Sequence, residues 1–569
     1  MTIVVAILIS GFVSLTLTPM LCSRFLRDEH NRHHGVFYRS LEGGFNLLTW
    51  WYEMTLRMAL RFHPVTFLLA LAMLGGTVYL FKTMPTGFIP SQDSGFIFGV
   101  MQGPQDASYE YMVRHTVAIR DIVRANPAVE STISFVVGGS NMSFAFSKLK
   151  PRNQRALSAD QFIDQLRPSL FFGVPGVLAF LQNPPPITVS GQNSASVYQL
   201  TLQSASLDEI YNWGPKLKAK MAQLPGFVDV NSDQQISSPQ IMVDIDRDRA
   251  LALGVTPAQA QDALYSAYGS REVSVIYAPA DQYSVILELA KQYQRTPDSL
   301  SKLYVRSSQG PLVPLNAMVH TRLRTGPLSI NHFGQLPAVT ISFNLLRGYS
   351  LGQAAEAVDN AITELRMPAT ISTAFQGTVK EFQSSFQNLT ILLAVAILVI
   401  YIVLGVLYES FIHPITILSG LPSAVFGALL TLLIFHKQLD LYAFVGIIML
   451  FGVVKKNAIM MIDFAIGARH KGLSAREAIW QGCLLRFRPI MMTTVAALFG
   501  TLPIALGYGE GADARQPLGL AVVGGLVVSQ FLTLYITPVI YLYLDWVQER
   551  MQGRRGADAS PLAAQTAQG

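Results

Sequence analysis

The sequence is poor in cysteine, in charge and, over one long stretch, in apolar runs. Only two of its 569 residues are cysteine, Cys22 and Cys483. A disulfide scaffold is thereby excluded, and the region from 85 to 388, which has no cysteine, must fold without disulfides. Charged residues make up 14% against 50% hydrophobic, and the mean hydropathy is +0.35. Those values exclude an ordinary soluble domain and read as a membrane protein. No Gly-rich phosphate loop, Cys/His metal cluster or Ser-His-Asp arrangement occurs in 85–388. An enzymatic reading therefore has little to stand on, and no cofactor and no metal are expected.

The apolar residues are unevenly placed. Seven stretches reach the ~20 residues needed to cross a bilayer, at 2–23, 63–83, 389–408, 412–435, 441–466, 489–507 and 517–543. Between 85 and 388 there is none. Orientation follows from the basic residues. Arg24, Arg27, Arg32, Arg39, Arg57 and Arg61 lie between the first two spans, Arg469, Lys471, Arg476, Arg486 and Arg488 between the fifth and sixth, and Arg550, Arg554 and Arg555 after the seventh. These segments are expected on the cytoplasmic side, and the long region on the outer side. The net charge of +6 is then a topology signal, and no nucleic-acid partner is expected. Seven spans with an inner C-terminus require an outer N-terminus. No basic residue precedes the first apolar run, so it does not read as a signal peptide, and Leu21 before Cys22 does not fit a lipoprotein signal. The simplest expectation is that Met1 lies inside a longer parent.

Residues 36–61 place Phe37, Leu41, Phe45, Leu48, Trp51 and Met54 among polar residues at helical spacing, which suggests an amphipathic helix on the inner membrane surface; a plain connector is the alternative. The tail, small and polar from Gly556, is expected to be disordered. In the outer region strand patterns at 96–101, 131–137, 197–202, 228–230, 240–246 and 338–343 alternate with helical patterns near 108–125, 207–224, 256–268 and 351–365. Such units fit two or three small α+β sandwiches.

The stretch GVVKKNAIMMIDFA at 452–465 places Lys455, Lys456 and Asp463 in one of the most apolar parts of the chain. If the lysines merely ended a span, Leu441 to Val454 would have to cross the membrane in roughly 21 Å of helix against a ~30 Å core. The helix must instead continue, which places Lys456 inside the membrane, where a charge costs at least ~2.5–3.5 kcal/mol unless paired or hydrated. Gly452, Lys456 and Asp463 share one face, and Lys455 is turned ~100° away, able to snorkel. Asp463 lies ~10 Å along the axis, too far for a direct pair. Either water and polar groups hold Lys456, or its partner lies on a further helix. Arg486 and Thr493 share a face of the sixth span around Pro489; their plainer reading is a topology marker and a packing residue.

In combination, LTLTPMLCSRFL at 15–26, MPTGFIPSQDSG at 84–95, VDIDRDRALALGVT at 243–256, LYESFIHPITI at 407–417, KKNAIMMIDFA at 455–465 and LLRFRPIMMTT at 484–494 resemble the C-terminal half of a resistance–nodulation–division (RND) efflux pump of the hydrophobe/amphiphile class. The stretches 455–465 and 329–344 are worded most like the MdtB/MdtC type, whose members form mixed trimers. The resemblance implies an α-helical polytopic domain of seven spans with a large periplasmic α+β insertion of porter-type αβ sandwich subdomains. In its terms 1–27 is the parent's sixth span, 28–62 a cytoplasmic amphipathic helix, 63–84 the next span, 88–196 and 197–239 with 328–385 porter subdomains, 240–327 a docking subdomain, 389–548 five spans and 549–569 a disordered tail. It further implies a proton-driven transporter, not an enzyme, in the bacterial inner membrane, acting as a homo- or heterotrimer with a periplasmic adaptor protein and an outer-membrane channel. In such pumps a lysine, an arginine and a threonine complete a proton relay with two aspartates of a span not present here; Lys456, Arg486 and Thr493 match those positions. Drug contacts are expected from Phe135, Phe144 and Phe146 and from a loop at Gly138–Gly139, with Phe144 and Phe146 on one strand face. Aromatic residues on a strand are also ordinary core. A membrane-anchored sensor or assembly subunit, and a non-functional truncated pump, are the competing readings.

Overall fold

The computed structural model describes residues 2–25, 36–137, 141–185, 194–294, 296–509 and 511–558. Three helices come first, α1 (Thr2–Phe25), α2 (Val36–Arg61) and α3 (His63–Thr83). The first sheet unit follows as β1 (Phe96–Gln102), α4 (Tyr109–Arg124), β2 (Val129–Val136), β3 (Met142–Leu149), α5 (Ala159–Gly173) and β4 (Leu178–Gln182). Its strands pair in the order β2-β3-β1-β4, all antiparallel. Alternation along β1 and β3 turns Ile97, Met101, Ala145 and Leu149 towards Met112, Ile119, Phe162 and Leu166 of the two helices. Ser108 and Ser158 cap those helices, the second through a capping box with Gln161.

The second unit is β5 (Tyr198–Gln203), α6 (Leu207–Ala222) and β6 (Phe227–Ser232), completed by β13 (His332–Phe333), β14 (Leu336–Leu345), α9 (Leu351–Leu365) and β15 (Ser372–Gln376). β14 is central and buried from Ala338 to Phe343. Between β6 and β13 the chain makes an excursion through β7 (Ser238–Ile245), α7 (Arg247–Ala252), α8 (Pro257–Tyr268), β8 (Arg271–Tyr277), β9 (Gln282–Leu287), β10 (Tyr304–Arg306), β11 (Leu312–Pro314) and β12 (Val319–Gly326). It leaves and returns through the antiparallel β7–β12 pair and has a core of its own around Ala250, Leu315 and Met318.

The remaining helices are α10 (Thr378–Tyr408), α11 (His413–Leu418), α12 (Leu421–Ile434), α13 (Leu441–His470), α14 (Ala475–Leu506) and α15 (Ala512–Asp558). Among the described residues seven helical segments are long and apolar enough to cross a membrane. They are not equally packed. α12, the inner side of α13 and α15 bury Leu429, Phe444, Leu450, Ala521 and Leu526 against one another, whereas no residue from Val4 to Phe25 of α1 is covered. At Gly519 α15 lies against the backbone of α14: an added Cβ would stand 2.3 Å from the Ala505 backbone nitrogen.

Three elements differ from the sequence reading. α14 starts at Ala475, capped by Ser474, and runs through Pro489 without ending, because Ala478, Ile479, Gly482 and Cys483 already bury a helical face. Arg486 and Arg488 therefore lie within the helix and not in a connector. α15 continues to Asp558, so 549–558 is helical and not tail; the helix formers Arg550, Met551, Gln552 and Ala557 account for this, and 559–569 lies outside the described residues. α2 is a helix with two apolar faces. Tyr52, Leu56 and Leu60 are buried, with Tyr52 stacked at 4.5 Å on Phe487 and donating its hydroxyl to the Leu534 carbonyl at 3.0 Å, while Leu48, Trp51 and Met54 remain uncovered.

The sheet units meet the helices along main chain. The Leu439 amide donates to the Pro85 carbonyl at 2.9 Å, Gly87 donates to Leu439 at 3.1 Å, and Leu441 donates to Phe88 at 2.9 Å. This short parallel bridge joins the segment after α3 to the start of α13, and Gly352 of α9 adds a bond to the Thr86 carbonyl at 3.2 Å.

Candidate functional site

α13 presents two unlike sides. One side packs inward through Phe444, Ile447, Leu450, Val454, Asn457, Ala458 and Met461. The other side is uncovered at Val445, Met449, Gly452, Lys456, Asp463 and Gly467, residues that recur at helical spacing along one stripe. Lys456 thus stands on the open face together with Gly452 and Asp463, while Lys455 is half-buried around the helix from it.

Arg486 is half-buried on α14, with its guanidinium 6.0 Å from the ring of Phe464 on α13, and its Nε has no hydrogen-bond partner among the described residues. Arg488, two residues on, is engaged elsewhere: it makes a two-pronged bond at 2.9 and 2.7 Å to Glu42 of α2. Thr493, half-buried, returns its hydroxyl to the Ile490 carbonyl of its own helix at 3.1 Å. The structure therefore sets Lys456 and Arg486 on two packed helices, with Thr493 two turns along from Arg486.

Behind this face lies a polar cluster absent from the sequence reading. The Asn457 amide donates to Thr494 Oγ1 at 3.2 Å and to Gln530 Oε1 at 3.0 Å, and Thr494 donates to the same Gln530 oxygen at 2.8 Å. All three side chains are buried. Asn457 directly follows Lys456 and Thr494 directly follows Thr493, yet nothing in a run of polar letters says which of two neighbours turns inward.

In the first sheet unit, β3 carries Phe144 and Phe146 on the side away from α4 and α5. The antiparallel register sets Phe135 of β2 opposite Phe144 and Phe98 of β1 opposite Phe146. Ring centroids are 5.6 Å apart for Phe135–Phe144, 6.0 Å for Phe135–Phe146 and 5.0 Å for Phe98–Phe146. Phe135 is 47% and Phe146 48% exposed. Phe98 is the member that sequence reasoning missed; its alternation was visible, but its pairing with β3 was not. Gly138 and Gly139 lie outside the described residues.

Two acidic groups outside the apolar helices respond to burial in opposite ways. Asp440, buried, accepts the Ala443 amide at 2.8 Å as N-cap of α13, and burial pushes its carboxyl up to about 7 against the pull of those amides and Lys437. Asp93 is also buried, which alone would raise it. The hydrogen bond and charge of Arg155, with amides of Ala159 and Gly95, outweigh this and hold it below the usual carboxylate range. Asp93 and Asp440 both line a cavity of about 610 Å³ between the sheet units and the helix ends, together with Arg167, Arg347 and Lys437. Among the described residues no group of three or more His, Cys, Asp or Glu is placed to hold a metal ion.

Two X-ray crystal forms of a heavy metal efflux pump are similar to this chain. Each superposes with a TM-score of 0.79 at 25% identity over 88% of the chain. The aligned part is 53% and 52% of those proteins, so the chain spans about half the length of the solved structures it matches. The model of the AcrB/AcrD/AcrF family matches residues 1–545, and with the RND fold and the motifs above this makes the chain a member of that family of RND efflux transporters.

Proposed function

We propose that the chain is the C-terminal half of a proton-driven RND transporter of the bacterial inner membrane, exporting amphiphilic or hydrophobic compounds as one subunit of a homo- or heterotrimer with a periplasmic adaptor and an outer-membrane channel. The observation that carries this reading is Lys456 on the uncovered stripe of an otherwise apolar helix. An ammonium at such a place calls for carboxylates on a facing helix, and the N-terminal half of the pump supplies them. Protonating those carboxylates releases Lys456, and the helices move. Arg486 contributes a permanent charge and Thr493 a hydroxyl along the same path. Phe98, Phe135, Phe144 and Phe146 form one wall of the drug site.

The test is dye efflux in a host lacking its own pumps. The 569-residue chain alone is expected to give no energy-dependent efflux, and the complete pump to give it. Lys456→Ala is expected to abolish efflux with trimer assembly intact, and Lys455→Ala to matter less; equal loss from both would refute the asymmetric assignment. The heavy metal efflux pump similar in structure offers a second substrate class. Cells protected against metal salts but not against lipophilic dyes would replace the amphiphile reading with it.

A further inference from the structure

Two positions assigned to the relay, Lys456 and Thr493, are each followed directly by a residue of the buried Asn457–Thr494–Gln530 cluster. We infer that this cluster is the positioning element of the relay: it fixes the register of α13 against α14 and so sets where Lys456 and Thr493 stand. The inference rests on the proton-relay reading given above.

Successive side chains of a helix point ~100° apart, so Asn457 faces inward while Lys456 faces outward at almost the same height. On α14 Thr494 faces inward, and the half-buried Thr493 is turned ~100° from it. Gln530 of α15 acts as the common acceptor, and its amide nitrogen is turned to Met491 Sδ at 3.3 Å, which leaves Oε1 for the two donors. Exposures of 6%, 5% and 8% for Asn457, Thr494 and Gln530 leave bulk water little access to replace a lost bond. Apolar ridges tolerate small slides, but these bonds do not: a shift of one helical residue, ~1.5 Å, takes a 3 Å hydrogen bond beyond its range.

Stability alone does not explain the cluster. Interhelical hydrogen bonds among apolar helices add little stability each, and replacing all partners by apolar groups of similar shape is nearly neutral. A device that costs desolvation and adds little stability, sited beside the charged positions, is suited to holding them in place. Residues 64–78, 382–400, 415–434, 489–506 and 516–534 of the neighbouring helices carry no titratable group; on the cluster's own helices the nearest ones are Lys455, Lys456 and Asp463 of α13, Arg486 and Arg488 of α14 and Tyr535 of α15.

The experiment is the pH profile of dye efflux by the complete pump. Asn457→Leu is expected to move the pH of half-maximal efflux by about half a unit or more, roughly threefold in proton concentration. Exchanging the two amides, Asn457→Gln with Gln530→Asn, keeps their summed length and is expected to restore the profile. The all-apolar variant Asn457→Leu/Thr494→Val/Gln530→Leu is expected to assemble as the parent does yet keep the shifted profile. A wild-type profile in Asn457→Leu, or a loss of pump amount without any shift, overturns the positioning role. Lys456→Ala runs beside these: its full activity would sink the relay reading itself, and with it this inference, whereas its inactivity beside an unshifted Asn457→Leu sinks the inference alone.

Discussion

The closed and open sides of the helix bundle differ in what they ask of a residue. On the closed side, at Gly519, Leu450 and Asn457, neighbours within the chain determine which side chain fits. On the open side, at Gly452, Lys456 and Val4–Phe25 of α1, nothing among the described residues does. Hydropathy is alike on both, since α1 and α15 are both strongly apolar. Apolarity therefore marks a span without saying which of its faces is already satisfied, and an ammonium on an unsatisfied face points outward to a partner.

Glycine substitution gives the sharpest test of that contrast. Gly519→Ala puts a methyl group against the backbone of Ile504 and Ala505, so α14 and α15 must separate. A loss of about 1–3 kcal/mol is expected in thermal or denaturant unfolding of the detergent-solubilised chain. Gly452→Ala, which meets nothing within 4 Å, should cause no loss and instead a gain of up to about 1 kcal/mol from helix propensity. Equal effects would erase the distinction between the sides.

Asp440 probes the edge of the closed side. Its folded pKa of about 7 lies above the unfolded value of 3.8, so the folded chain holds a proton that the unfolded chain has released, and stability falls as pH rises between the two values. Asp440→Asn keeps an N-cap acceptor without a titratable group. Melting at pH 5 and pH 7 should differ less in the variant than in the parent; an undiminished difference would remove Asp440 as its source.

Arginines on α14 sharpen the comparison further. Arg488 has its carboxylate, Glu42, in the chain, on a half-exposed pair of small energetic weight. Arg488→Lys should preserve efflux in the complete pump. Arg486 has an Nε with no partner among the described residues, and Lys does not reproduce its planar fork. Arg486→Lys should lower efflux at unchanged membrane insertion, and full activity would reduce it to a topology marker. The smallest effect is expected from Phe146→Ala, which removes one ring of four from an exposed sheet face and should alter the spectrum of resistance without abolishing it. An unchanged spectrum would return Phe146 to a structural role.

Much of this was legible in the letters. The long apolar helices follow from hydropathy, and helix length alone says that α13 continues past Lys456. Other features depend on contacts that letters do not carry. Pro489 looked like a start because the fourteen residues before it in α14 are amphipathic, and their buried face is visible only once α13 is beside it. Tyr52, Leu56 and Leu60 of α2 were concealed by a second apolar stripe at Leu48, Trp51 and Met54. Asn457 among lysines and Phe98 among strand residues needed a neighbour 37 and 48 positions away, respectively, to acquire meaning.

The bridge between 85–88 and 439–441 is made of amides and carbonyls alone. Any residue, Pro85 included, can accept such a bond and any but proline can donate one, so these hydrogen bonds between the segment entering the sheet units and the first turn of α13 do not depend on side-chain identity. A displacement of α13 pulls directly on Pro85–Phe88, and through Thr86 on α9, along a linkage that alanine scanning passes over in silence. Mechanical connection and mutational sensitivity come apart at this point of the molecule, and the part most able to carry motion is the part that mutagenesis sees least.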